Sequence, residues 1–234
     1  MKTFFKNEKI SIVNLLLAQV SGRDCICIAF EPVGYNMGNY MHIALIFNRQ
    51  INLENEESLW KTLKKLDFSK PIPLRIHSEC LLGDALFSED CDCRAQLRQS
   101  IKLFSESNYG ILLYLRQEGR GIGLREKFKC LALQKGYIQG EKVCSHYSAD
   151  EANHFYGHKK DERNYGIASD FLRALNINEV AILTGNPDKI KSLKDKKITV
   201  NKLLFSTLPE IGKLSYKAQM ELDEKIKRGY HYKG

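Results

Sequence analysis

Long hydrophobic runs are missing from these 234 residues. No uninterrupted apolar stretch approaches the ~18 residues that a membrane helix needs, so no membrane partner is expected. The run from Ile10 to Val20 follows Lys2, Lys6 and Lys9 as a secretory leader would, but Ser11, Asn14 and Gln19 interrupt it, which makes it a poor signal peptide. Linkers rich in Pro, Gly or Ser are absent too, as are internal repeats and low-complexity segments. Their absence argues against a repeat array or a fused second enzyme and for one compact unit over 1–234.

The composition is that of an ordinary globular protein, 43% hydrophobic and 27% charged. Its net charge of +8 points to anionic partners: nucleic acid, anionic lipid or a nucleotide triphosphate. Charge alone does not choose among them. Seven cysteines are an odd number for a disulfide framework, and a secreted scaffold would be shorter and denser in Cys. A cytoplasmic protein with reduced thiols is expected, some of them buried and some binding metal.

Residues 24–31 and 40–47 read as strands joined by a turn-rich piece over 32–39. Gln50 to Lys70 has the Leu and Trp spacing of a surface helix ended by Pro71 and Pro73, and Leu74 to His77 is a short strand. Apolar spacing predicts helices over Cys93–Ser107, Lys127–Lys135 and Ile167–Leu175, strands over Tyr109–Leu115 and Val180–Thr184, and a basic helix over Tyr216–Arg228. Alternating strands and helices indicate an α/β fold with mixed β-sheets and flanking helices. A β-rich part (1–70) would precede a central part (71–205) and the C-terminal helix (206–234).

The strongest chemical signal is the cluster Cys80, Cys91 and Cys93. Cys91 and Cys93 are two apart and point the same way in extended backbone, and Cys80 returns to them through a loop turning at Gly83. Three thiolates suit Zn2+. Three protein ligands leave a position for water, which is the catalytic arrangement; four close a structural site, and His77 is placed to be the fourth. Three buried thiols without metal are the remaining possibility. Cys25 and Cys27 share a strand face with no third ligand nearby and fit core packing better. Cys130 and Cys144 are isolated.

Three further segments carry polar chemistry. Tyr114 to Leu124 contains Glu118-Gly119-Arg120-Gly121 between a strand and a helix, where backbone N–H groups can approach an anion and Arg116, Arg120 and Arg125 add charge. It lacks the Lys-Ser/Thr ending of a P-loop and the full dinucleotide fingerprint, and a tight structural turn is an equal reading. Asp150 to Arg163 mixes carboxylates, His154, His158 and a guanidinium, which suits proton transfer or a solvated polar loop. Thr184-Gly185-Asn186-Pro187-Asp188-Lys189 follows a strand, a common ligand position in α/β folds and a common place for any turn.

In this order, Arg-x-His-Ser-Glu-Cys, Cys-Asp-Cys, Gln-Glu-Gly-Arg-Gly-Ile-Gly-Leu, Glu-Ala-Asn-His, Asp-Glu-Arg and Leu-Thr-x-Asn-Pro resemble the GTP cyclohydrolase II family from about Arg75 to Leu204. The resemblance implies that Cys80, Cys91 and Cys93 bind a catalytic zinc. It implies that Arg75, Ile76, His77, Ser78, Glu79, Gln96, Glu118, Gly119 and Arg120 hold GTP, with Glu118 accepting from the guanine edge, and that Thr184 and Lys189 contact nucleotide. Asp161 would be a proton acceptor. The arginine matching Arg163 has been proposed in the family as a nucleophile on the α-phosphorus. A guanidinium pKa above about 12 makes electrostatic stabilisation of departing pyrophosphate the easier role. Mg2+ would bridge phosphate oxygens. The implied reaction opens the imidazole ring of GTP and releases pyrophosphate and formate, leaving a diaminopyrimidinone ribose phosphate, the first intermediate of riboflavin synthesis. A homodimer is implied as well.

The chain departs from the family pattern in two places. Leu131 stands where a tyrosine is expected in Lys127-Phe128-Lys129-Cys130-Leu131, and leucine can neither donate nor accept a proton. If that phenol serves the second hydrolysis, the product keeps its formyl group, unless Tyr137 or Tyr147 substitutes. The stretch Ile138 to Ser148 is about ten residues longer than the family norm, and Ala149 replaces a threonine. A zinc-stabilised nucleic-acid binder is the contrasting class. Dispersed Lys and Arg with interleaved acids, and no RNA-binding aromatic motif, argue against it.

Overall fold

The computed structural model describes residues 5–6, 9–34, 41–51, 58–143, 147–204 and 216–230. Eight strands form one mixed sheet in the order β1-β2-β3-β4-β6-β5-β9-β10. Its first half is an antiparallel meander: β1 (Phe5–Lys6), β2 (Ile10–Val20), β3 (Arg23–Pro32) and β4 (His42–Asn48). The interrupted apolar run at Ile10–Val20 is therefore a strand, paired along its length with β3. β4 pairs antiparallel with β6 (Tyr109–Leu115). From there the sheet is parallel: β6 beside β5 (Ile72–Ser78), β5 beside β9 (Glu179–Leu183), and β9 beside β10 (Thr199–Leu204).

Alternation along the strands feeds two cores. On one face, Ile26, Ile28, Phe30, Ile46, Leu74, Ile76, Ile111 and Leu113 pack under α1 (Leu59–Lys65) and α6 (Gly166–Ala174). Phe30 and Phe171 are the centre of that packing, with ring centroids 4.3 Å apart. On the other face, Cys25, Phe47 and Leu112 pack against Phe104 of α3 (Cys93–Ser107). Cys25 is thus a core residue, and burial pushes its thiol up to about 12.

α3 and β6 occupy the ranges expected from their spacing, and Asn108, in the left-handed region at φ 47°, makes the turn between them. The helix expected over residues 50–70 is shorter: α1 has 7 residues, begins at a Ser58 cap and gives way to extended backbone at Leu66. The polar segment around Asp150 begins as a helix, α5 (Ala149–Phe155), started by a capping box in which Ser148 and Glu151 bond reciprocally. The Thr184–Lys189 turn opens into α7 (Pro187–Asp195), with Asn186 as cap and proline in the first turn. Between α5 and the glycine-rich segment lie α4 (Gly123–Gln134) and a small hairpin, β7 (Tyr137–Ile138) with β8 (Glu141–Lys142), which accounts for part of the longer 138–148 stretch. A four-residue α2 (Leu81–Asp84) follows β5, and α8 (Tyr216–Lys227) is the C-terminal helix. Cys144 and most of the turn over 32–39 lie outside the described residues. Among the described residues no helix is long and apolar enough to cross a membrane.

Topology dictates where a site can form. β5, β6 and β9 are parallel and adjacent, so their C-terminal ends open at one edge. The segments leaving those ends are the ones that carry Cys80, Glu118 and Thr184.

Replacing Phe171 with alanine leaves a cavity against Phe30 and is expected to cost about 3–5 kcal/mol in urea unfolding. Phe128→Ala, at a ring 52% exposed, should stay within about 0.5 kcal/mol.

Candidate active site

Cys80 leaves the end of β5, Cys91 lies in the loop before α3, and Cys93 is the first residue of α3. Their sulfurs all lie within 4.8 Å of one another, and Cys80 and Cys91 are 3.6 Å apart. Tetrahedral ligation with Zn–S bonds near 2.3 Å requires sulfurs about 3.8 Å apart, so the donor set fits zinc. The sulfurs do not meet as neighbours on extended backbone. Asp92 adopts φ −91°, ψ 7°, and the helix start swings Cys93 beside Cys91. Gly83 lies within α2 and makes room for the sulfurs. A Cβ there would sit 2.7 Å from the Cys91 sulfur and 3.1 Å from that of Cys80.

The cluster is braced by buried polar groups. Asp84 accepts from the Cys80 amide at 3.0 Å, from the Tyr114 hydroxyl at 2.9 Å and from His77 Nε2 at 3.2 Å. His77 Nδ1 faces an Arg75 guanidinium nitrogen at 3.4 Å, which can only donate, so Nε2 carries the proton. Burial and Arg75 lower the pKa of His77 despite Asp84. Committed to Asp84, His77 is not among the residues that converge on the sulfurs, so the four-ligand arrangement anticipated as one possibility does not form among the described residues. Lys127 donates to the Cys80 sulfur at 3.2 Å and to Glu118 at 2.7 Å. Hydrogen bonds from Cys91 and Cys93 and the Lys127 charge hold the Cys80 thiol far below its ordinary value. In turn, the Cys80 partner pushes Cys91 up to about 12. One thiolate beside two thiols is the balance that three crowded sulfurs reach alone; a divalent cation lets all three ionise.

The cavity beside the sulfurs has a cationic floor. Arg75 is 4% exposed and donates to the Leu183 carbonyl at 3.1 Å and to Gln96 at 2.5 Å. Lys189 is buried, with no carboxylate on its ammonium among the described residues, and donates to the Ile76 carbonyl at 2.7 Å. Burial, with Arg75 and Arg163 nearby, pulls its pKa well down. Arg163 is gripped by Asp161 at 2.8 and 2.5 Å. Burial opposes the Arg163 charge, but Asp161 outweighs it and raises its pKa. Thr184, Ser78 and Glu79 also line the cavity, and Glu79 pairs with Arg116 at 2.8 Å. Arg120, at φ 60°, pairs with Asp150 at 2.7 Å.

Three expected residues sit differently from the roles the resemblance implies. Ile76 is fully buried in the core and reaches the site only through its carbonyl. Asp161 stands behind Arg163 rather than on the cavity wall, and its pairing with Arg163 keeps its pKa low despite burial, which makes it a weak base. Glu118 turns both oxygens to the protein, accepting from the Leu81 amide at 2.6 Å and the Gly119 amide at 2.8 Å as well as from Lys127. Leu131 and Tyr147 both line the cavity; Tyr137 does not. Lys127, Asp84 and Asp92 belong to the site without having been anticipated. Lys127 sits about one turn into α4, after the glycine-rich segment, and Asp92 lies between the two cysteines, so adjacency to those motifs is the sequence signal for both.

The family model of GTP cyclohydrolase II matches residues 27–204. The chain belongs to the GTP cyclohydrolase II family. Its curated relatives include proteins named GTP cyclohydrolase-2 from Escherichia coli O9:H4 (strain HS) and Shigella boydii serotype 18, each 45% identical over 130 residues. Those alignments cover 56% of this chain and 62% of each relative, so the chain spans under two thirds of their length. Among solved structures, a two-domain 3,4-dihydroxy-2-butanone 4-phosphate synthase from A. baumannii matches with TM-score 0.40 and 11% identity, covering 86% of this chain and 41% of that one. At that distance the likeness carries no functional weight.

Two measurements check the site of this family member. Gly83→Ala should abolish stoichiometric zinc in the purified protein, read by elemental analysis, because the new methyl occupies the place where the sulfurs converge. For Lys189, the folded-state pKa lies below the unfolded value, so between the two values the unfolded chain binds more protons. Wild-type stability relative to Lys189→Met should therefore rise from pH 7 toward about pH 10, near the unfolded lysine pKa, as measured by urea titration at both ends.

Proposed function

We propose that this chain is a zinc-dependent hydrolase that opens the imidazole ring of GTP, releasing pyrophosphate and formate and leaving a diaminopyrimidinone ribose phosphate. One observation carries the proposal: three sulfurs converge at the edge of a cavity whose floor is formed by Arg75, Arg163 and Lys189. Cys80, Cys91 and Cys93 would hold the ion, which when bound supplies a Lewis acid that activates water for attack on the purine ring.

The chain's own residues set up the rest. Arg75, Arg163 and Lys189 would provide charge for a triphosphate, and Mg2+ brought with the nucleotide would share in neutralising it. A bound anion would favour the charged form of Lys189, opposing the burial and the cationic neighbours that lower its pKa. Arg163, kept charged by Asp161, stabilises the negative charge that builds on departing pyrophosphate. In this reading Asp161 orients Arg163 rather than accepting a proton. Glu118 and Lys127 position the Cys80–Leu81 turn, and the adjoining Gly119 and Arg120 face the ligand. A homodimer and the cytoplasm are the assembly and compartment that accompany the proposal.

A second outcome is favoured by Leu131, which presents an apolar side chain to the cavity where the family has a phenol. Arrest would leave the formamidopyrimidine. Tyr147, on the same cavity, is the phenol available to complete the second hydrolysis.

Incubation with GTP and Mg2+ should yield pyrophosphate and formate in equal amounts, and removal of metal by a chelator should abolish both. Pyrophosphate with a product heavier by one formyl group would establish the arrested reaction instead. Absence of both from zinc-loaded protein would sink the proposal.

A further inference from the structure

The residues outside the family match contribute a wall of the site. The match ends at residue 204, yet Met220, Glu221, Glu224, Lys225, Arg228 and Tyr230 line the same cavity as the sulfurs. They are tied to it from several sides. Lys225 donates to Asp92, between the two cysteines, at 2.9 Å. Glu224 accepts from the Ala149 amide at 3.2 Å. Gly229, at φ +81°, turns the chain so that the Tyr230 hydroxyl lies 3.4 Å from Arg163.

Arg228 is placed at the centre of this wall. Its guanidinium lies 3.6 Å from Asp150 and 3.5 Å from Asp161. Asp150 also binds Arg120, and Asp161 binds Arg163. Three guanidiniums and two carboxylates therefore alternate as Arg120–Asp150–Arg228–Asp161–Arg163. The outer arginines make close hydrogen bonds at 2.7 and 2.5 Å, whereas both Arg228 contacts are longer. Its donors can turn to an incoming anion at little cost in existing bonds. Lys160, 3.4 Å from Asp150, and Glu224, 3.8 Å from Arg120, belong to the same group, which then holds four cations and three carboxylates; without Arg228 the charges would balance beside a polyanion.

We propose that residues 216–230 form part of the ligand site and that Arg228 is a binding residue for the polyphosphate part of the ligand, an inference that rests on the GTP reading for the identity of the whole ligand. Titration calorimetry on the intact zinc-loaded protein tests it with two separate probes, inorganic triphosphate and guanosine. Arg228→Gln should weaken triphosphate binding about tenfold or more, the size expected for a lost charge-assisted contact, and leave guanosine binding unchanged. Arg228→Lys, which keeps the charge, should stay within a few-fold of wild type. On the wild-type protein, inorganic triphosphate should slow amide exchange across residues 216–230, a readout independent of whether any variant folds. Unaltered triphosphate affinity in Arg228→Gln, or no added protection of 216–230, would overturn the inference. Triphosphate binding that depends on Arg228 in a protein that does not turn over GTP would uphold it and refute the hydrolase reading instead.

Discussion

Three sulfurs held within 4.8 Å of one another are the constraint around which this site is built. Such crowding is unfavourable by itself, since at most one thiol ionises comfortably and the others are driven upward in pKa. The surrounding residues counter it in three ways. Gly83 removes the side chain that would fill the space, Lys127 supplies compensating charge, and Asp84 pins the Cys80 backbone through its amide. Each of these residues is itself held: Lys127 by Glu118, and Asp84 by Tyr114 and His77. Three thiols fixed this close together suit a divalent cation, so donor chemistry and packing fit the same occupant.

The sheet explains why this cradle lies beside a group of cationic side chains. β5 delivers Cys80 and Arg75, β6 delivers the Glu118 segment, and β9 delivers Thr184 and, through α7, Lys189. Their parallel pairing puts all three exits on one edge, so the cysteine cluster and the cationic residues are neighbours by topology. The repulsion among Arg75, Arg163 and Lys189 is tolerated because the sheet and its hydrophobic faces fix their backbones. Stability is surrendered locally and recovered in the core built around Phe30 and Phe171.

Legibility in the sequence followed the range of the interactions involved. α3 and β6 were readable because each carries its own period and Asn108 marks the boundary. The cysteine triad and the cationic residues were readable as motifs, and the structure brings them to one cavity. The 50–70 helix was overextended because its polar flanks carry no periodic signal to end it, while α5 was hidden by its polarity although Ser148 and Glu151 spell a capping box. Extended alternation was the wrong geometry for Cys91 and Cys93, since a helix start after Asp92 produces the same proximity by another route. Glu118 shows a different gap: residue type declares that it accepts hydrogen bonds, but only three dimensions reveal that the Leu81 and Gly119 amides and Lys127 claim them.

The least legible part is the contribution of α8. Lys225 meets Asp92 across 133 residues of sequence, and no local pattern in a basic amphipathic helix says which acidic group it will find. Its position nonetheless has a physical logic. The motifs supply carboxylates at Asp92, Asp150 and Asp161, which orient Gln96, Arg120 and Arg163 from behind the cavity wall and whose charge would still repel a polyanion bound on its other side. Cations on those carboxylates, brought by a segment distant in sequence, offset that repulsion without requiring the motifs to lose their orienting groups. The segment brings Glu221 and Glu224 to the cavity along with Lys225 and Arg228, so it places cations on particular carboxylates rather than adding net positive charge.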